Sequence, residues 1–240
     1  MINLAYPVMN QAFRLAPALD PQPVEAPIRP PQKVRAAADS PKSLRTRARI
    51  LDAAVRLFVE IGYHAATNAR IAEAANLTRG AMLYHFPDRE ALIDAVVPYI
   101  QTARAGLLQA AIEAAPHGAD RTDHAIDAYW RLLSEPAFVA FAELESAART
   151  DHALRARLAP AQEAFDRAEL TDNLFDLVQG AQGPRFQASR DLARFMLEGL
   201  AASNLAYDAQ GRTERLLAIV KRASRMLNRK GSVQDLWPDT

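Results

Sequence analysis

The chain has 240 residues, a formal net charge of +1 and no cysteine. That length suits two modest domains or one large one, and the missing thiols exclude disulfides, thiolate zinc sites and cysteine nucleophiles. No apolar run approaches the ~18 residues needed to span a bilayer, and no basic-then-apolar leader opens the chain, so it reads as a cytoplasmic protein without a membrane partner. Hydrophobic residues make up 50%, glycines number only 9, and β-branched residues rarely alternate with period two. This composition predicts an all-α fold of about nine helices.

Residues 1–42 hold eight of the fifteen prolines and carry no helical or strand period, which predicts a disordered or extended arm. Helix one is expected from about Ser43 to Ile61, with Ile50, Ala54, Leu57, Phe58 and Ile61 as an apolar stripe, Gly62 as its stop, and a basic run from Lys42 to Arg49 in its first turns. A short second helix over about Thr67 to Ala75 would be capped by Thr67 or Asn68. Asn76 then turns the chain because asparagine tolerates the left-handed region. Thr78 caps a third short helix, Arg79 to His85, and Pro87-Asp88 opens a fourth that extends to about Ala115, kinked or split at Pro98. Further helices are expected over about 121–133, 137–149, 151–179, 186–206 and 212–228, with residues 231–240 as a tail and Pro160 as a second kink.

The tandem of short helices over residues 67–86 reads as a helix-turn-helix. A helix that reads base edges needs small or planar polar groups in its N-terminal half, and Thr78, Arg79, Gly80 and Ala81 supply them. Arg79 alone can grip a guanine with two hydrogen bonds, while Gly80 and Ala81 leave room for a thymine methyl. Met82 and Phe86, four apart, point to the core. Leu83, Tyr84 and His85 turn outward, and Arg45, Arg47, Thr67, Asn68 and Arg89 are placed to hold phosphates.

These residues, with Ile50-Leu51-x-Ala53-Ala54, Phe58, Gly62-Tyr63, Ile71-Ala72, Ala75 and Leu92, resemble the TetR family of one-component transcriptional regulators over residues 43–100. Leu83 stands where the family usually carries tyrosine, Asn76 where it has a turn glycine, Asn68 where an apolar residue is common, and Arg89 where lysine is usual. The resemblance implies a repressor that leaves a palindromic double-stranded DNA operator when a small effector binds. It also implies a larger helical domain, residues 101–230, that binds the effector and dimerises through residues 186–228.

Two apolar faces fit that dimer, one from Leu192 to Ala206 and one from Leu216 to Leu227. A mostly apolar effector is expected among Tyr129, Trp130, Phe138, Phe141, Phe165 and Phe175, and Phe195 is a further aromatic in reach. Arg104 or Arg131 would be its anion partner. Helix four is expected to be the only direct lever between the two domains. Two rival readings remain. One is a helical module that binds nucleic acid or anionic lipid nonspecifically through the basic segment 212–230. The other is a helical-bundle enzyme with a metal on Asp120, His124 and Asp127, although no nucleophile set, phosphate loop or cofactor motif is present and neither a catalytic nor a metal residue is assigned.

Overall fold

A computed structural model describes residues 40–116, 121–171, 184–203 and 211–228. Among these, all regular structure is helical and falls in nine helices, as composition predicts. They are α1 (Pro41–Ile61), α2 (Asn68–Ala74), α3 (Arg79–His85), α4 (Arg89–Glu113), α5 (Thr122–Leu132), α6 (Pro136–Ala148), α7 (His152–Thr171), α8 (Pro184–Ala202) and α9 (Arg212–Asn228). No helix of the described residues is long and apolar enough to cross a membrane. The N-terminal arm, Asp120, Phe175 and the tail lie outside the described residues.

The helix ends follow local chemistry. α1 begins two residues before the expected start because Ser40 accepts from the Ser43 amide and Pro41 occupies the first position, where it loses no hydrogen bond. Gly62 ends it at φ 78, a left-handed value suited to glycine. Thr67, Thr78 and Asp88 each accept from the amide three residues on, capping α2, α3 and α4. Thr67 rather than Asn68 is therefore the cap of α2. Between α2 and α3 the Asn76 amide bonds the Glu73 carbonyl and the Leu77 amide bonds the Ala72 carbonyl, with Asn76 at φ 52. This paired closure is the common helix stop with a left-handed residue just past the end, here asparagine in place of glycine.

Two expectations change. Pro98 does not split α4, which runs unbroken from Arg89 to Glu113 with Pro98 on an exposed face. Ile61 belongs to no buried stripe, since it is 40% exposed at the end of α1.

The core forms two clusters. One joins Ile50, Ala54 and Phe58 of α1, Ile71 of α2, Met82 of α3, Phe86 beyond it and the first half of α4 with Ala140, Phe141 and Leu144 of α6 and Leu154 and Leu158 of α7. The second gathers Leu108, Ile126, Tyr129, Phe138, Phe165, Leu197 and Val220 from α4 to α9. α4 is thus not the only lever on the reading helices. α6 packs directly on α1, and a Cβ at Gly62 would come within 3.3 Å of the Glu143 Oε2 of α6. Small residues on α6, Ala137 and Ala140, allow that approach, a contact that spacing along the chain could not announce.

Candidate nucleic-acid interface and the polar centre of the bundle

α3 is seven residues long, too short to be stable alone, so its pose is set by packing. Met82 and Phe86 are almost wholly buried in the first cluster and anchor it. Its outer face holds Arg79, Gly80, Leu83 and Tyr84, all exposed, with Ala81 half-buried and the Thr78 hydroxyl committed to the Ala81 amide. Tyr84 is 69% exposed and meets the His85 ring edge-on at 5.3 Å. A Cβ built on Gly80 meets nothing within 4 Å, so the space in front of it is open.

Arginines surround this helix pair, and most of them face inward. Arg47 donates to the His85 carbonyl at 3.0 Å and lies 4.4 Å over the Phe86 ring. Arg49 donates to the Ala75 carbonyl and Arg56 to that of Ala74. These carbonyls are the orphan acceptors at the ends of α3 and α2, where the helix dipole also favours a cation. Arg70 bonds the Ala65 carbonyl, in the turn between α1 and α2. Arg89 donates to the Ala66 carbonyl at 2.6 Å and the Tyr63 carbonyl at 2.9 Å, with its guanidinium over the Tyr63 ring at 4.5 Å.

Among the basic candidates, Arg45 and Arg79 are exposed, while Arg47 and Arg89 have their guanidinium groups turned to the protein's own carbonyls. Thr67 is exposed and Asn68 half-buried, with its Oδ1 enclosed. His85 is half-buried, its Nδ1 enclosed, and burial, aided by the charge of Arg47, lowers its pKa. The stitching roles of Arg49, Arg56 and Arg70 escaped sequence reading because their acceptors lie five to twenty-six residues away along the chain.

α4 is tied on two sides. Tyr99 donates to the Asp52 carboxylate of α1, a bond that, with burial and the same charge, pushes the phenol up to about 12. Arg157 of α7 pairs with Asp94.

The expected effector residues gather around α4 to α8. Tyr129 is fully buried and Phe138, Phe141 and Phe165 nearly so, whereas Trp130 is half-buried and Phe195 is 65% exposed. Arg104 is 4% exposed, its guanidinium 3.8 Å from the Phe165 ring centre, 4.4 Å from that of Phe141 and 4.8 Å from that of Phe138. Arg131 is exposed.

Sequence reading missed the polar centre beside these rings. The Tyr129 hydroxyl donates to Glu198 at 2.7 Å, and Arg194 donates to Glu198 and to Asp166 at 2.8 Å each. Burial works against the Arg194 charge, yet Tyr129, Glu198 and Asp166 hold its pKa raised. The one available signal was the Arg194/Glu198 pair, four apart and flanking the inward Ala193 and Leu197.

The basic stretch 212–230 is also partly accounted for. Lys221 pairs with Asp127 at 2.6 Å and Arg225 with Asp123, so α9 is fastened to α5 by charges that the sequence offered to a polyanion. Asp127, one of the three metal candidates, is thereby committed to Lys221, and the His124 ring faces the Ala111 carbonyl at 3.3 Å.

Residues 50–96 match the model of the bacterial regulatory proteins, tetR family. Over 57 residues the chain is 46% identical to the HTH-type transcriptional repressor AcnR of Corynebacterium glutamicum, covering 24% of this chain and 29% of that one. It is 36% identical over 64 residues to the HTH-type regulator YvkB of Bacillus subtilis, covering 27% and 34% respectively. The chain thus matches about a third of the length of these curated relatives. A solved Rhodococcus sp. chain assigned to the TetR family superposes with a TM-score of 0.54 at 21% identity, over 77% of this chain and 99% of that one, which extends the likeness of fold beyond α4. Segment 50–96 thus matches the tetR family of bacterial regulatory proteins, and the helical fold around it is like that of the Rhodococcus chain.

Proposed function

We propose that the protein is a sequence-specific DNA-binding regulator, a homodimeric repressor that releases a palindromic operator when a small effector occupies its larger helical domain. The observation that carries this reading is α3, which buries Met82 and turns Arg79, Gly80, Leu83 and Tyr84 to solvent on a frame that arginines fasten at both helix ends.

In this mechanism Arg79 reads a guanine from the N-terminal half of α3, with Gly80 and Ala81 letting the backbone approach. Arg45, Thr67 and Tyr84 meet phosphates and set register. Arg47 and Arg89 act from behind by holding the ends of the reading unit. Two copies place their α3 helices about 34–36 Å apart on successive major grooves. Leu192, Phe195 and Met196 of α8 and Ile219 of α9 are large apolar side chains left exposed, and they supply the face on which two copies meet. An effector releases DNA only by favouring a different spacing of the two reading helices. α4 and α6 both touch the reading unit and both reach the polar centre, through Arg104 and Phe138, so both transmit that change.

Selection of bound sites from random DNA followed by footprinting tests the reading. A palindromic site is expected, with Arg79→Ala weakening it by about 1–3 kcal/mol while folding is retained. Binding equally tight to all sequences, or an operator indifferent to Arg79→Ala, would overturn it.

A further inference from the structure

α8 carries two stripes on different sides. Ser189, Ala193 and Leu197 are buried, four residues apart, and form the stripe that packs inside the chain. Ala188, Leu192, Phe195, Gly199 and Ala202 are all exposed and follow one another at steps of four, three, four and three. That alternation is a seven-residue repeat with two apolar positions, the seam by which one helix packs along another. No residue of the seam is charged, and its two large members, Leu192 and Phe195, are 46% and 65% exposed.

Gly199 gives the seam a hole beside a knob. Glycine weakens a helix, and a Cβ at position 199 would meet nothing within 4 Å in its own chain. Gly106 of α4 is equally open, but no large apolar side chain lies three or four residues from it, whereas Phe195 stands one turn before Gly199. Run in the opposite direction, the seam complements itself: Leu192 faces Ala202, Phe195 faces Gly199, and a two-fold axis repeats both pairs. Each layer then holds one large and one small side chain, so two helices keep an even separation. A parallel pairing would set Phe195 on Phe195 and Gly199 on Gly199. An antiparallel pairing shifted by seven residues would set Leu192 on Phe195 and Ala188 on Gly199. Both alternate a wedge with a gap, which close packing disfavours. Self-complementarity of this kind, free of charge and thus of like-charge repulsion, fits a second copy of the same chain.

We propose that two copies join through antiparallel α8 helices in this register, with Phe195 of each copy seated on Gly199 of the other and Leu192 on Ala202. The inference rests on the dimer reading above and deepens it by naming which residues meet. The four layers between residues 192 and 202 span about 15 Å of helix, and a small residue in every layer lets the axes approach to about 8–10 Å. The two-fold axis then lies level with position 197, halfway between Phe195 and Gly199. Where that axis lies sets the separation at which the two copies hold their α3 helices.

The chain has no cysteine, so introduced thiols report contacts directly. Full-length Leu192→Cys and Ala202→Cys chains with different affinity tags are produced separately and together, and oxidised at concentrations where sedimentation shows each to be dimeric. The coexpressed pair is expected to form a disulfide-linked heterodimer. Neither variant should link to itself, because like positions lie about 15 Å apart in this register. Gly199→Leu has room within its own chain and should keep its circular dichroism, yet it fills the hole for Phe195 and should weaken dimerisation by about tenfold or more. Adding Phe195→Ala to it should recover part of that loss. Self-linking of Leu192→Cys, a mixed link no faster than either self-link, or a Gly199→Leu dimer as tight as the unaltered one would each overturn the proposal. Sedimentation of the unaltered chain separates it from the reading beneath it. A dimer that fails these tests overturns the register alone, and a monomer at every concentration overturns the dimer and the register together.

Discussion

Gly80 is an odd choice for the second position of a seven-residue helix, since glycine costs up to about 1 kcal/mol there relative to alanine. Nothing in the protein requires it, because a Cβ at that position would meet open space. The requirement is met only if another body comes close, which is the role the proposed interface gives it. Gly80→Ala is therefore expected to raise stability by a few tenths to about 1 kcal/mol in urea unfolding while weakening the selected operator in a gel-shift assay. A variant that improves both would mean that DNA leaves this position untouched. Leu83 makes the same point from the other side. It is 39% exposed on the outer face, where the family resemblance expects a tyrosine, so it offers DNA an apolar contact and no hydroxyl.

At the scale of elements, the arginines divide by what their guanidinium groups touch. Arg89 leaves the first position of α4 to bond two carbonyls of the turn between α1 and α2 and to stack on Tyr63. Arg45 is exposed on α1. Arg89→Ala is expected to lower unfolding stability by about 1–3 kcal/mol, as the loss of hydrogen bonds from a charged donor does, and to leave the salt dependence of DNA binding nearly intact. Arg45→Ala should do the reverse, with unchanged melting and a slope of log affinity against log salt shallower by about 1.8, about 0.9 for each copy of the proposed dimer. Thermal melts and binding titrations at several salt concentrations separate the two, and a shallower slope for Arg89→Ala would return that residue to the phosphate contacts. The ties on α4, Tyr99 to Asp52 and Arg157 to Asp94, hold the middle of that helix to α1 and α7 while the chain runs through Pro98 without a break.

For the whole molecule, α8 and α9 leave Leu192, Phe195, Met196 and Ile219 exposed, whereas Ala193, Leu197 and Val220 on the same two helices are buried. Half-exposed side chains of this size gain on the order of 1 kcal/mol each when covered, which is the gain the proposed two-fold pairing would draw on. Phe195→Glu, at a site 65% exposed with the Arg194 guanidinium 6.0 Å from its ring, should leave the fold intact. It is expected to yield a monomer in sedimentation and to lower operator affinity by about a hundredfold or more as the second half-site is lost. A Phe195→Glu dimer that binds normally would move the interface elsewhere.

The sequence by itself determined what depends on near neighbours. Caps at Thr78 and Asp88, a cap at Thr67 or its neighbour Asn68, the stop at Gly62, the asparagine turn at position 76 and the inward Met82 and Phe86 are all set within a few residues, because each is a matter of backbone preference or helical spacing. The tertiary structure decided what depends on partners far along the chain. It turned Arg47, Arg49 and Arg56 to helix-end carbonyls and Arg89 to carbonyls of the turn before α2, took Lys221 and Arg225 from the basic stretch to pair with Asp127 and Asp123, and set α6 on α1 beside α4. It also drew Tyr129, Asp166, Arg194 and Glu198 from three helices into one polar centre. A charged residue reads alike in sequence whether it faces water, a carbonyl or a phenyl ring. Only the packing around it fixes which of these it meets, and with that whether it is left to meet DNA or a ligand.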